Sequence, residues 1–286
     1  MNIAIVSESK MSLGGGWSFI GNLIKGLSKT DHTIVDWKAA DIVLIPSSSM
    51  ITKELFRGMK AAGKKVVLRI DNIPRNSRNR NTGTSRLDMM AKEADAVVYQ
   101  SEWAKRYVGG WLGVDGVIIN NSVDEEIFNT NGVGMHFTGN PTYLYSRFNR
   151  DETKHWEVAW YEYQMVHRLN KNAKLIIVGQ FASEHLEYNF DFYNNEQVEY
   201  LGVIESPEAM ASILKGCDYL LATYYNDAFS NTYIEALMCG LELYKPDMSG
   251  GTPEILQKWE RYGKEHFYLE RMIKDYTDLF MELVIG

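Results

Sequence analysis

The segment from Tyr219 to Leu256 leaves few folds open. Tyr219–Ala222 is an apolar run of strand length, and Tyr224–Ser230 is a polar, small and aromatic loop. Asn231–Cys239 spaces its apolar residues as a helix does, and Gly240 supplies a stop. Leu241–Tyr244 is a second apolar run. Ser249–Thr252 then opens another helix, with Pro253 near its first position, where the missing N–H has no partner to lose. Strand, loop, helix, strand, glycine turn and helix in this order build a parallel sheet, because parallel neighbours need a crossover between them. Such sheets bind ligands beyond the carboxyl ends of their strands.

The same alternation runs through the rest of the chain. Asn2–Val6, Ile42–Ile45, Val66–Ile70, Ala96–Tyr99 and Val117–Asn120 read as strands of a first half. Helices over Trp17–Leu27, Thr52–Ala62, Leu87–Glu93 and from Trp103 to Val108 alternate with them. In a second half, Thr142–Tyr145, Lys174–Val178 and Val198–Leu201 read as strands, and Trp156–Leu169 and Pro207–Lys215 as helices. Gly132, Gly134 and Gly139 mark the span 129–140 as a linker. Lys258–Val284 is helical, and 286 residues suffice for a core in each of two domains.

Composition narrows the class further. With 45% hydrophobic and 23% charged residues the chain is ordinary for a globular protein, and no run approaches the roughly 18 apolar residues of a membrane span. The opening Met1–Val6 is too short and lacks the basic flank of a signal peptide. A net charge of −7 argues against broad adhesion to nucleic acid or anionic lipid. Cys217 and Cys239 make neither a disulfide framework nor a zinc site, so a reducing cytoplasm is expected. There is no Asp-x-Asp pair and the six His are scattered, so no metal and no cofactor is expected.

Several residues carry chemistry in more than one reading. Gly14-Gly15-Gly16 between a strand and a helix offers bare N–H groups to a phosphate, or is simply a turn that needs positive φ. Asp71 leaves the carboxyl end of the Val66–Ile70 strand, where ligands bind. Arg69, Arg75, Arg78, Arg80 and Arg86 crowd the same region, as a solvated basic loop or as an acceptor site suited to phosphate. Asp227 caps a helix while Glu235 faces solvent, or both acids hold the hydroxyls of a sugar and a ribose. A carboxylate between Ile234 and Ala236 must find donors if it is buried.

The second half resembles retaining nucleotide-sugar glycosyltransferases with the GT-B fold. That family carries Glu-Gly-Phe-Gly, then Glu-Ala-x-x-Cys-Gly, then Gly-Gly-x-Pro-Glu. This chain has Asp227-Ala-Phe-Ser230, Glu235-Ala-Leu-Met-Cys-Gly240 and Gly250-Gly-Thr-Pro-Glu254, with the two acids eight residues apart. The first acid is Asp instead of Glu, and both glycines beside it are replaced. Asn120-Asn-Ser-Val-Asp124 is similar to the family's Asn-Gly-Val-Asp crossover, with Ser122 in the glycine's place. Arg147 and Lys154 match its Arg and Lys at a longer spacing, with Arg150 as a rival for either; two exposed surface cations are the alternative.

The resemblance implies two Rossmann-like parallel-sheet domains facing a cleft. The first spans 1–125, joined by a C-terminal helix of about 272–286 that crosses back, and the second spans 126–271. It implies transfer of a sugar from a nucleotide-diphosphate sugar, with UDP the implied nucleotide, to an acceptor hydroxyl with retention. Arg147 and Lys154 would neutralise the diphosphate without a metal, aided by helix N-termini at Gly16 and Gly251. Gly14, Gly15, Gly16, Gly179, Ile204, Ser230 and Asn231 would line the donor, with Ile204 at the base. Glu235 would hold the ribose and Asp227 the sugar ring. Asp71 stands where many members have a His, and would orient or deprotonate the acceptor; Arg69, Arg75 and Arg78 would bind it. Two alternatives stay open: a polyanionic acceptor such as hydroxylated DNA bases, and a nucleotide-sugar-binding protein without turnover.

Overall fold

The computed structural model describes residues 1–8, 14–71, 81–148, 154–180 and 195–286. The chain divides into two compact units: Met1–Val123 with Glu254–Gly286, and Asp124–Pro253.

In the first unit, β1 (Asn2–Ile5), β2 (Thr33–Ile34), β3 (Ile42–Ile45), β4 (Lys65–Ile70), β5 (Ala96–Tyr99) and β6 (Val117–Ile118) form a parallel sheet in the order β2-β1-β3-β4-β5-β6. All four residues of β3 are buried, as the unbroken apolar run Ile-Val-Leu-Ile requires of a strand covered on both faces. Helices α1 (Gly15–Leu27), α2 (Lys53–Ala61) and α3 (Asn81–Glu93) are the crossovers. Thr52 caps α2 by accepting the Leu55 N–H at 3.3 Å. The helix read from Trp103 to Val108 is longer. It runs as α4 (Glu102–Ala104), a wide π-helical turn over Lys105–Gly109, and α5 (Gly110–Leu112), ended by Gly113 in the left-handed region.

Strand β6 stops at Ile118, short of the Asn120 that the sequence suggests. The reason lies in side chains. Asn120 donates to Gln100 O and Glu254 Oε1, and Asn121 donates to Gln100 Oε1 while accepting from Arg69. Amide side chains here replace the ladder. After α9 (Thr252–Tyr262), the last helix α10 (Leu269–Ile285) lays Leu269, Met272, Ile273, Tyr276 and Phe280 into the core that holds Phe19, Leu23 and Leu27 of α1. Gly26 is needed there, since a Cβ would sit 2.3 Å from Ile273 Cγ1.

The second unit carries β7 (Thr142–Phe148), β8 (Lys174–Gly179), β9 (Val198–Gly202), β10 (Tyr219–Leu221) and β11 (Glu242–Tyr244), parallel and ordered β11-β10-β7-β8-β9. Its crossovers include α6 (Trp156–Leu169), α7 (Pro207–Lys215) and α8 (Asn231–Met238). Two parallel-sheet α/β units are what the resemblance implies. No helix among the described residues is long and apolar enough to cross a membrane.

Candidate active site

Strand β7 ends in an irregularity that sets the site. Ser146 pairs with Val178 and Phe148 with Gly179, so Arg147 is the extra residue of a bulge, with φ 83. Bulges re-aim side chains, and here the bulge turns Arg147 out of the ladder. Gly179 belongs to the same construction. Its φ is 144, and a Cβ would lie 2.2 Å from Phe148 O. Its requirement is thus close strand packing, and its carbonyl accepts the Tyr200 hydroxyl at 2.7 Å.

Arg147 meets two further predicted residues. Asp227 Oδ2 accepts from Lys154 Nζ at 3.0 Å and from Arg147 Nη1 at 3.3 Å. Lys154 is 4% exposed, and its carbonyl accepts the Tyr145 and Thr223 hydroxyls. Both cations lie over the ring of Tyr224, at 5.2 Å for Lys154 and 5.6 Å for Arg147. Tyr224 is fully buried, stacks on Tyr233 and donates its hydroxyl to Ser146 O. Burial pushes that phenol well above its usual range, so it stays neutral and its face attracts cations. Tyr224 went unread in the sequence. Its only signal there is its place directly after an apolar strand, beside a second tyrosine.

Asp227 is held by the glycine turn that opens α9. A Cβ on Gly250, whose φ is 63, would sit 2.3 Å from Asp227 O, and one on Gly251 would sit 2.2 Å from Ala228 O. The Gly251 N–H donates to Asp227 O at 2.8 Å. That amide is therefore spent on the acid's own loop, which replaces the phosphate role read for it. Ser249 Oγ accepts the Asn226 N–H at 2.7 Å from the same turn.

Glu235 sits on α8 and keeps partial exposure, yet its carboxyl is deep among neighbouring atoms. Desolvation pushes it up to about 7, with Arg147 pulling the other way. No hydrogen bond stabilises its charge among the described residues. Ser230 precedes α8 and is 2% exposed, and its Oγ has no partner among the described residues. Asn231 is the buried first residue of the same helix. Ile204 is half-buried, two residues past Gly202 at the end of β9. Arg147 and Gly179 thus lie at the carboxyl ends of β7 and β8, Lys154, Ile204 and Asp227 follow second-unit strands, and Ser230, Asn231 and Glu235 lie just before or within α8.

The remaining predicted residues lie in the first unit. Gly14, with φ 143, caps α1 and accepts the Trp17 and Ser18 N–H groups at 3.0 Å. Gly14 and Gly15 face open space, while a Cβ on Gly16 would lie 3.9 Å from Asp71 Oδ2. The glycine turn and Asp71 are therefore neighbours. Arg69 is different from its reading as an acceptor ligand. It is 2% exposed, donates to Pro46 O at 3.3 Å and Asn121 Oδ1 at 2.9 Å, and stacks 4.0 Å above the Phe19 ring. Its fork braces the Asn120–Asn121 segment from inside. Arg75 and Arg78, with Arg80 and Arg150, lie outside the described residues. Among the described residues no cluster of three or more His, Cys, Asp or Glu is placed to hold a metal ion.

Residues 143–270 match the family model described as glycosyl transferases group 1. No curated protein matches the chain. Among solved structures the chain is similar to HepE of Anabaena in complex with UDP and glucose, at 12% identity and TM-score 0.74, over 99% of this chain and 100% of that one. It is also similar to sucrose-phosphate synthase of Thermosynechococcus elongatus, at 13% identity and TM-score 0.71, over 99% of both chains. AviGT4, a glycosyltransferase of avilamycin A biosynthesis, matches at 13% identity and TM-score 0.67, over 100% of this chain and 98% of that one. Residues 143–270 thus match the glycosyl transferases group 1 model, and the chain has the GT-B fold of these structures.

Proposed function

We propose that the chain transfers a hexosyl group from a UDP-sugar to an acceptor hydroxyl, with retention of anomeric configuration and without a metal ion. The observation that carries this reading is the cluster of Arg147 and Lys154 on Asp227, near a Glu235 whose carboxyl is desolvated and unpaired. A nucleotide sugar supplies what each group lacks. Its diphosphate takes the two cations, and the charge that grows on the departing UDP is met by groups already fixed in place. Its ribose hydroxyls donate to Glu235, and its sugar hydroxyls engage Asp227. The backbone of Ile204 and the end of β8 at Gly179 face the base. Support for UDP comes from HepE, which is solved in complex with UDP and glucose, with UDP-glucose and with UDP.

Asp71, beside the α1 glycine turn, is assigned to the acceptor hydroxyl, which it orients by accepting its proton in a hydrogen bond. Arg69 drops out of acceptor binding, because its guanidinium is internal. The test is release of UDP from UDP-glucose, UDP-galactose and UDP-N-acetylglucosamine by wild type and Glu235→Ala, with EDTA present throughout. Turnover of one donor by wild type, lost in the variant with the fold intact by circular dichroism, is expected. Equal turnover in both, or dependence on added metal, overturns the assignment. Proton NMR of the anomeric centre in the product reads retention.

A further inference from the structure

Three residues other than glycine hold left-handed backbone around the cation cluster: Arg147 (φ 83), His155 (φ 49) and Asn226 (φ 49). Such conformations persist only where the surroundings over-determine them. The bulge accounts for Arg147. Of the other two, His155 supplies one ring of a stacked pair and Asn226 follows the residue that supplies the other. The imidazole of His155 and the phenol ring of Tyr225 stack at 5.3 Å between centroids, with planes 8° apart. One residue before His155 and two after Tyr225, Lys154 Nζ bonds Asp227 Oδ2 at 3.0 Å. The two loops are thus tied twice, once by charge and once by rings.

The second tie is surplus to the first. Lys154 is already fixed through its carbonyl by Tyr145 and Thr223, and Asn226 is fixed by Ser249. Nor is the ring pair core. Tyr145, Phe148, Trp156, Tyr224 and Tyr233 pack on one another and are buried, whereas Tyr225 is 44% exposed. With one face covered by imidazole, the ring keeps open aromatic surface beside the charged cluster.

Strand order says which part of a donor meets it. Tyr225 follows β10, and the segment leading to His155 follows β7. Gly179 ends β8 and Ile204 follows β9, on the opposite side of the sheet order β10-β7-β8-β9. Neighbouring strands stand about 4.8 Å apart, so three steps separate Tyr225 from Ile204 by on the order of 14 Å. Arg147, the cation for the diphosphate, leaves β7 between them. Base, phosphates and glycosyl group follow the same sequence in a nucleotide sugar.

We infer that the Tyr225–His155 pair is a platform for the apolar C–H face of the donor's pyranosyl ring, and that it sets which hexose is accepted. The electron-rich face of an aromatic ring attracts the partly positive C–H edge that a pyranose presents. The inference rests on the UDP-sugar reading of this site. Calorimetric affinities for UDP, UDP-glucose, UDP-galactose and UDP-N-acetylglucosamine test it in wild type, Tyr225→Ala and Tyr225→Phe. In Tyr225→Ala the best UDP-hexose weakens about five- to tenfold while UDP itself stays within about twofold, and Tyr225→Phe keeps both. An equal loss for UDP and UDP-hexose makes the pair a loop brace and overturns the inference, as does no loss for either. A wild type that binds none of the four ligands overturns the donor reading, and the platform with it. Donor binding that ignores Tyr225 overturns the platform alone.

Discussion

Glu235 offers a test that does not depend on knowing the substrate. Its carboxyl is raised from the ordinary 4.5 to about 7 because burial penalises the charge more than Arg147 repays it. At about 1.4 kcal/mol per tenfold change in proton affinity, ionised Glu235 costs the folded state about 3.5 kcal/mol at most. Partial exposure lowers this, so about 1.5–3 kcal/mol is the working range. For an acid with a raised folded-state pKa, the folded state holds the extra proton between 4.5 and 7. Its contribution to stability therefore falls as pH rises through that window, and the whole cost is present above about 7. Glu235→Gln keeps the shape and cannot ionise. Its melting temperature should exceed that of wild type by about 3–12 °C at pH 8, on the usual scale of about 2–4 °C per kcal/mol, and the gap should shrink markedly at pH 5. Differential scanning fluorimetry from pH 5 to 8 reads this directly. A gap that does not change with pH, or a variant less stable at pH 8, would refute the desolvated-carboxylate argument. The same variant should lose donor turnover, which places the residue on the functional side of a stability–activity trade-off.

Asp227→Asn should cost about 2–4 kcal/mol in urea unfolding, because Lys154, 6% exposed at its side chain, loses its carboxylate. Gly250→Ala should cost about 2 kcal/mol or more and abolish turnover, since φ 63 and a contact of 2.3 Å to Asp227 O leave a Cβ no room; a fully active, equally stable variant would refute it. Arg69→Met should lower stability by about 2–4 kcal/mol, leaving Pro46 O and Asn121 Oδ1 unsatisfied, with turnover per folded molecule unchanged; lost activity at full stability would return Arg69 to the acceptor.

Much of the frame was legible because apolar periodicity is local. Strands Ile42–Ile45 and Ala96–Tyr99 and helices Trp156–Leu169 and Pro207–Lys215 stand where their patterns place them. Strand β2 carried no signal, being two exposed residues at the sheet edge. Within the site, the acids were legible from their spacing on loop and helix. What they touch was not. The contact of Asp227 with Arg147 spans a sequence separation of 80, and it depends on a bulge that no residue pattern announces. Arg69 misled for a related reason. Its partner Asn121 lies 52 residues on, so a charged residue in an apolar strand read as a ligand contact when it is an internal brace.

The Asp for Glu exchange at 227 gains a physical meaning from these contacts. One short carboxylate sits between two cations and takes both on Oδ2, while Oδ1 accepts the Phe229 N–H at 3.3 Å. Both oxygens are engaged, so a sugar hydroxyl competes with Arg147 and Lys154 for Oδ2. A diphosphate carries more charge than one carboxylate and draws the cations to itself, which frees Oδ2 for the sugar. Phosphate capture and sugar recognition are then coupled through one oxygen. Asp227→Asn separates them: with the resident counter-ion gone, UDP should bind several-fold more tightly, while the extra affinity of a UDP-hexose over UDP should disappear. Calorimetry with both ligands measures the two effects. UDP binding that weakens in Asp227→Asn would mean that the carboxylate positions the cations for the diphosphate instead of competing with it.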